Sequence, residues 1–223
     1  MMMMMMKVTL TSMQKRFYRA IYEKNTEFLF KGLKASNQPS LMNIMMELRK
    51  CCNHPYLVKG VEDRVLSELS DEDKLDDNVV FRKLIETSGK FVLLDKLLPR
   101  LYSQGHKVLV FSQMVRVLNL LEDFMRFKGY IYERLDGSTK STDRKEAVDR
   151  FCKPSMDRFI MLMSTKAGGL GTYVTTPPLI TSHIYTTNRN NYLIPSYIAS
   201  THHEFTLRSH HIIPHTSHHI TQA

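Results

Sequence analysis

The sequence is poor in cysteine and has no long hydrophobic run. Its 223 residues include three cysteines, two of them adjacent, so they offer no disulfide framework and are typical of a reducing intracellular compartment. No apolar run approaches the ~20 residues that cross a membrane. Met1–Met6 lacks the basic flank and cleavage site of a signal peptide. We therefore expect no membrane partner, and we interpret residues 1–8 as a methionine-rich leader that reflects a start-site or gene-model artefact.

Charged residues become scarce after Gly171. The formal net charge of the chain is +9, yet segment 172–223 contains no lysine and only three charged residues, Arg189, Glu204 and Arg208. The basic surplus therefore lies before residue 172. Such a surplus is compatible with a polyanionic partner, although a moderately basic solvated surface is the commoner explanation.

Segment 172–223 is rich in histidine and threonine and has three interpretations. Its histidine pairs could bind a transition metal, since imidazole suits Zn, Cu and Ni, but no Cys or Asp and no regular spacing would fix a geometry. It could be a disordered low-complexity tail. We favour a third interpretation, translation of intron or out-of-frame sequence, because the composition changes abruptly inside a motif. The segment is expected to be unrelated to the rest and disordered.

Residues 9–60 show helical periodicity. Apolar residues from Leu10 to Phe28 predict one amphipathic helix with a basic face. A second helix is expected to begin at Ser40 as its N-cap and to end at Pro55. The acidic residues that follow predict an exposed, mobile linker over residues 61–87.

Residues 88–171 alternate predicted helices with short apolar strands. Ser88 is expected to cap the first helix. Strands are predicted at Lys107–Phe111, Tyr130–Leu135 and Phe159–Met163. This alternation predicts an α/β fold with a parallel sheet, in which ligands bind beyond the carboxyl ends of the strands. Three polar segments follow those ends, namely Ser112–Gln113, Asp136–Thr139 and Ser164–Gly171.

The last of these segments has the composition of a phosphate-binding loop. Three glycines in four positions allow close approach of a ligand to the backbone, and Ser164, Thr165 and Lys166 supply hydroxyls and a cation. A tight strand-to-helix turn is the alternative interpretation.

Two other features of the sequence resemble catalytic or metal-binding sites, but their surroundings indicate structural roles. Cys51, Cys52 and His54 are three potential zinc ligands in four residues, but no second ligand pair accompanies them, so structural packing is favoured. Ser112 has no nearby His/Asp pair and is not a triad nucleophile. We predict no catalytic residue and no metal site.

Five ordered motifs across residues 9–171 resemble a known family. The sequence is similar to the second ATPase half of Swi/Snf-type chromatin remodellers, and in particular to the Kismet-like branch of the chromodomain-helicase-DNA-binding group. The motifs that carry this resemblance are Leu48–Tyr56, Lys90–Leu98, Lys107–Met114, Arg134–Thr139 and Ser164–Gly171.

The resemblance implies an incomplete RecA-like parallel sheet, the N-terminal half of a helicase C-terminal lobe, over residues 88–171, with a helical bracing region at 9–60. It also implies contacts to the DNA backbone, which would position the motor without reading sequence. A lobe-interface loop at Gly168, Gly169 and Gly171 would bind or sense nucleotide. The matching DNA-contacting residues are Gln113, Arg134, Gly137, Ser138, Ser164, Thr165 and Lys166.

The resemblance further implies a nuclear parent protein that uses ATP and Mg²⁺ to translocate double-stranded DNA and slide nucleosomes. The sequence has no Gly-x-x-x-x-Gly-Lys-Ser/Thr phosphate loop, and the acidic motif that holds Mg²⁺ and the arginine-finger motif are also missing. We therefore expect the first ATPase lobe to be a missing partner, and the chain alone to bind no cofactor and hydrolyse no ATP. The alternative is a non-catalytic short isoform that binds nucleic acid or chromatin.

Overall fold

In the described part of the chain a run of helices precedes the first strand, and strands and helices alternate from there to residue 168. The computed structural model describes residues 8–31, 43–153 and 157–168 and four short strands between residues 179 and 201. Within these residues, no helix is both long and apolar enough to cross a membrane. The helices are α1 (Ser12–Tyr22), α2 (Thr26–Phe30), α3 (Ile44–Asn53), α4 (Val61–Ser67), α5 (Asp71–Leu75), α6 (Asp77–Thr87), α7 (Gly89–Ser103), α8 (Val115–Lys128), α9 (Ser141–Cys152) and α10 (Thr165–Gly168).

The strands form a mixed sheet around a parallel centre. The strands β1 (Lys107–Ser112), β2 (Tyr132–Leu135) and β3 (Ile160–Ser164) lie in the order β2-β3-β1 and pair in parallel. This arrangement confirms the predicted α/β fold with a RecA-like sheet. The remaining strands are β4 (Leu179–Ser182), β5 (Thr186–Thr187), β6 (Leu193–Ile194) and β7 (Ser200–Thr201).

The sheet extends into the segment that was predicted to be unrelated and disordered. β4 pairs in parallel with β1, and β7 pairs antiparallel with β4. Among the three predicted strands, β1 is the outer one next to β3, and four residues of segment 172–223 pair along its other side. Short Thr- and Ile-rich stretches can pair in this way because ladder hydrogen bonds need only an extended backbone.

The buried residues form two clusters, one on each face of the sheet. Alternate residues of β1 and β3 point to opposite faces, as the period of two in a strand requires. Val108 and Val110 join a cluster with α1, α3, α6, α7 and α8, while Leu109 and Phe111 join a smaller cluster with α9. The helical region before residue 60 therefore shares one core with the α/β lobe.

The first predicted helix is broken in the structure. α1 ends at Tyr22 and α2 begins at Thr26, capped by the side chain of Asn25. Lys24, at φ 51°, turns the chain between them. The apolar periodicity continues across this break, so the sequence pattern alone did not reveal it. The cap of α3 is Asn43, and Ser40, the predicted cap, lies outside the described residues.

Residues 61–87 were predicted to be an exposed, mobile linker, and this was wrong for most of the segment. Three helices occupy it, and Val65, Phe81 and Leu84 are buried in the larger cluster. The ring of Phe81 stacks on Phe127 with centroids 3.7 Å apart. Of these three helices, only α5 buries no side chain. The acidic residues hide this packing in the sequence because they lie on the opposite faces of short amphipathic helices.

The bracing region and the lobe are joined by polar contacts as well as by the shared core. The buried amide of Gln14 donates to the carbonyl oxygens of Cys51 (3.0 Å) and Cys52 (3.2 Å) and accepts from the backbone N–H of Gly89 (3.1 Å). Ser88 precedes α7, as predicted, but its hydroxyl does not cap the helix. It donates instead to the carbonyl of Asn53 (2.8 Å).

Candidate nucleic-acid interface

The polar segments that follow β1, β2 and β3 begin at the same edge of the sheet. Ser112 at the end of β1 is in register with Ser164 at the end of β3. Leu135, the last residue of β2, is in register with Met163. Because the strands are parallel, the three segments leave the sheet side by side. We call this surface, formed by residues 112–114, 136–140 and 164–168, the carboxyl edge.

The loop after β2 is organised by the buried carboxylate of Asp136. Its oxygens accept from the backbone N–H (2.9 Å) and the hydroxyl (2.6 Å) of Ser138 and from the guanidinium of Arg134 (2.7 and 2.9 Å). These hydrogen bonds, that from the Ser138 hydroxyl first, lower the pKa of Asp136 to about 2. The backbone N–H of Asp136 donates to Thr139, so the loop is held at both ends.

Arg134 lies in β2, next to the carboxyl edge, and its guanidinium is occupied by protein groups. Besides Asp136, its guanidinium bonds to the amide oxygen of Asn119 (2.9 Å) and pairs with the carboxylate of Glu122. The resemblance implies that Arg134 contacts DNA, and that contact remains a prediction. Within the chain, its guanidinium joins the loop after β2 to α8, since each of its nitrogens faces an acceptor of the chain.

The loop after β1 exposes Gln113 between two fixed residues. The hydroxyl of Ser112 donates to the carbonyl of Met114 (3.0 Å) and accepts from its N–H (3.1 Å). This closes a tight turn and leaves the side chain of Gln113 on the surface. The backbone of Gln113 is therefore held in place, and its amide can reach a partner outside the chain.

The segment after β3 contains both buried and exposed polar groups. Ser164 is buried, and its hydroxyl accepts from the N–H of Ala167 (3.2 Å), so that it caps the short helix α10. Thr165 is half-buried and Lys166 is exposed. Within the described residues, neither Lys166 nor Lys140, which is also exposed on this edge, has a carboxylate partner in a salt bridge.

Arg144 joins two of the three segments, and no pattern in the sequence indicates this role. Its guanidinium donates to the carbonyl of Ala167 (3.1 Å) and contacts that of Thr139 (3.5 Å). It lies one turn into α9, among other charged residues whose side chains are solvated, so composition does not distinguish it. The contact sets the spacing between the loop after β2 and α10.

The glycines of the site have different surroundings. A Cβ atom on Gly137 would meet nothing within 4 Å, and the φ angle of this glycine lies outside the left-handed region. Neither neighbours nor backbone conformation of the chain therefore require glycine at this exposed position. Gly168 ends α10, whereas Gly169 and Gly171 lie outside the described residues.

The histidine in the cluster of potential zinc ligands is occupied by the fold. The Nδ1 atom of His54 accepts from the N–H of Tyr56 (3.1 Å), so its Nε2–H donates to the carbonyl of Leu84 (2.9 Å). Burial lowers its pKa to about 4 and raises the pKa of the Cys51 thiol. Among the described residues, no three His, Cys, Asp or Glu side chains are placed to hold a metal ion. The side chains of this cluster are therefore buried in the fold, and both ring nitrogens of His54 have partners within the chain.

Two family models match the chain. Residues 89–193 match the helicase conserved C-terminal domain, and residues 2–57 match the SNF2-related domain. The first match includes all three strands of the carboxyl edge as well as β4.

Curated relatives are similar over most of this chain. It is 52% identical over 170 residues to chromodomain-helicase-DNA-binding protein 9 of Homo sapiens and 54% identical over 171 residues to chromodomain-helicase-DNA-binding protein 8 of Danio rerio. Each alignment covers 76% of this chain. The chain spans only 6% and 7% of the length of these two relatives.

Solved structures share the fold. The C-terminal part of the Fun30 ATPase domain has a TM-score of 0.55 and 24% identity, and covers 79% of this chain and 73% of its own. The C-terminal domain of a Sulfolobus solfataricus SWI2/SNF2 ATPase has a TM-score of 0.54 and 17% identity, and covers 80% and 70%. At these identities the likeness concerns the fold alone.

Proposed function

This chain belongs to the SNF2-related helicases of the chromodomain-helicase-DNA-binding type, and from that premise we propose that it supplies part of the second motor lobe of a DNA translocase. In this role the carboxyl edge grips the phosphate backbone of double-stranded DNA. The parent motor uses ATP and Mg²⁺ to move nucleosomes in the nucleus. The chain by itself contributes DNA contacts and no hydrolysis.

The composition of the carboxyl edge carries this proposal. Gln113 and Lys166 are exposed on two of the three segments that hydrogen bonds hold in place, whereas the hydroxyl and the N–H of the exposed Ser138 already donate to Asp136. Amide and ammonium groups are donors that contact phosphate oxygens without reading bases. The fold does not require glycine at position 137, and the lack of a side chain there leaves the surface between these groups open. A phosphate chain can therefore approach the backbone there.

Replacing Lys166 with alanine is expected to weaken binding to duplex DNA. Each phosphate contact that is lost lowers the slope of log K against log salt by about 0.9. Fluorescence anisotropy with a labelled random-sequence duplex, between 50 and 200 mM salt on the purified chain, measures both affinity and slope. We expect a slope that is smaller by about one in K166A.

Lys153 provides the matched control. It is exposed and follows the last residue of α9 as its C-cap. Its carbonyl accepts from the side chain of Lys107 at the start of β1 (3.2 Å). Lys153 therefore lies at the opposite edge of the sheet. K153A removes the same charge and should change affinity less than twofold. Equal losses in both variants would show diffuse attraction by the net charge, and would overturn the assignment to the carboxyl edge.

The isolated chain is expected to release no phosphate from ATP, with or without DNA. The sequence has no Gly-x-x-x-x-Gly-Lys-Ser/Thr loop to cradle the β- and γ-phosphates, and no described residues form a cluster of acidic ligands for Mg²⁺. A coupled phosphate-release assay at saturating ATP and duplex DNA tests this. DNA-stimulated release that stays with the chain through two different chromatographic steps would contradict the proposal.

A further inference from the structure

Asn53 lies where the bracing region, α7 and the loop after β1 meet. Its side-chain oxygen accepts from the ammonium of Lys90 at 2.6 Å. Its side-chain nitrogen donates to the carbonyl of Arg49 at 3.0 Å and lies 3.7 Å from the sulfur of Met114. One amide thus contacts three parts of the chain that are far apart in sequence.

Two hydrogen bonds join Asn53 to the start of α7. Lys90 is buried, and desolvation lowers its pKa to about 8, so its ammonium depends on polar partners such as the oxygen of Asn53. The carbonyl of Asn53 also accepts from Ser88 (2.8 Å). The end of α3 is therefore tied to the start of α7 by both the backbone and the side chain of one residue.

The second part of the junction leads to the carboxyl edge. Met114 closes the turn in which Ser112 bonds to both its N–H and its carbonyl. Gln113, the exposed residue of that turn, lies between these two fixed residues. A thioether is a weak acceptor, and the contact of Asn53 with the sulfur of Met114 joins α3 to this turn. The side chain of Asn53, at the end of α3, is thus in contact with the turn that presents Gln113.

We propose that Asn53 is a positioning residue that couples the bracing helix α3 to the Gln113 turn, so that a movement of the bracing region changes the grip on the DNA backbone. This inference rests on the proposed function for its DNA readout. It gives the bracing region a defined mechanical link to the site.

Two variants test the link from its two sides. N53D keeps an oxygen for Lys90 but has no N–H to donate to Arg49 or Met114. M114L keeps the apolar volume, which cores tolerate well, and removes the sulfur. We expect each to speed hydrogen exchange in residues 113–115 and to weaken duplex binding by at most about fivefold, which is the loss expected if the single Gln113 contact to DNA were removed altogether. The double variant is expected to be no weaker than N53D alone, because residues that act through one contact are not additive.

N43D is the control for the aspartate substitution. Asn43 caps the other end of α3 by accepting from the N–H of Met46 (3.1 Å), and aspartate caps equally well. Exchange and DNA affinity should stay at the wild-type values. Unchanged exchange at residues 113–115 in both N53D and M114L, or additive losses in the double variant, would overturn the coupling.

The DNA interface and the mechanical link can fail separately. If Q113A and K166A bind DNA as tightly as the wild type while exchange at residues 113–115 still responds to N53D, the DNA interface is wrong and the mechanical link stands. If Q113A weakens binding and N53D leaves exchange unaltered, the interface stands and the link is wrong.

Discussion

Acidification from pH 6.5 to pH 4 is expected to lower the free energy of unfolding by about 3 kcal/mol through His54 alone, since a pKa difference of one between the folded and unfolded chain corresponds to about 1.4 kcal/mol. Burial lowers the pKa of this histidine from 6.5 to about 4 in the folded chain. Between these values the unfolded chain binds a proton and the folded chain does not. The contribution of His54 to the free energy of unfolding is therefore fully present above pH 6.5 and is lost as the pH falls toward 4.

The surroundings of His54 explain why it resists protonation. The ring is fully buried, and its centroid lies 4.8 Å from those of both Tyr56 and Phe91. Its Nδ1 atom already accepts from the N–H of Tyr56, so a proton there would break that bond and place a charge among aromatic rings.

Urea unfolding of wild type and H54N across pH 4 to 7.5 measures the effect. H54N is expected to be less stable at pH 7.5, since it loses the ring contacts, and the difference between the two proteins should shrink as the pH falls. Contributions from groups other than residue 54 are common to both proteins and cancel in the difference. The carboxylate of Asp136, with a pKa of about 2, loses its contribution only below about pH 4. If the free energies of unfolding of the two proteins depended on pH in the same way, the pKa of His54 would not be lowered in the folded chain.

Replacing Gly89 with alanine is expected to cost about 3 kcal/mol, although alanine is the better helix former by about 1 kcal/mol. The added Cβ would lie 2.3 Å from the carbonyl oxygen of Thr9 and 3.0 Å from a methyl of Val8. The first of these contacts is with backbone, so the segment before α1 or the start of α7 must move. Such a movement also strains the bond from the N–H of Gly89 to Gln14 (3.1 Å).

G137A is the matched control for this substitution. The same methyl group enters open space there, so stability should change by less than about 0.5 kcal/mol, as for ordinary surface substitutions. Chemical denaturation of both variants and the wild type under one condition gives the comparison. Equal stabilities for G89A and G137A would show that residues 8–9 do not pack against α7.

Continuous apolar runs were predictable as strands from the sequence. The apolar runs at β1 and β3 are buried on both faces, and their residues alternate between two clusters. A strand covered on both sides needs apolar residues at every position, which makes it visible in the sequence. Parallel pairing alone places the three polar segments at one edge of the sheet.

Predictions that depended on composition were less successful. Acidity suggested a mobile linker at residues 61–87, yet Phe81 and Leu84 are core residues. Ser88 has the right type for a cap, but its hydroxyl reaches Asn53, 35 residues away in sequence. Composition describes the average surface of a segment, whereas a few buried side chains decide how it packs. The DNA contacts assigned to the seven edge residues and the nucleotide role of the glycines remain predictions.

The sequence by itself determined the family, the parallel strands and the three polar segments that leave them, because these depend on local periodicity and on motifs of contiguous residues. Only the tertiary structure decided how the carboxyl edge is built. It placed Arg134 in an ion-pair network with Glu122 and Asp136, and Arg144 across two loops. It also linked Asn53 to the Gln113 turn. Such roles arise from partners distant in sequence, and the charge or amide of a single residue does not reveal which partners folding will bring to it.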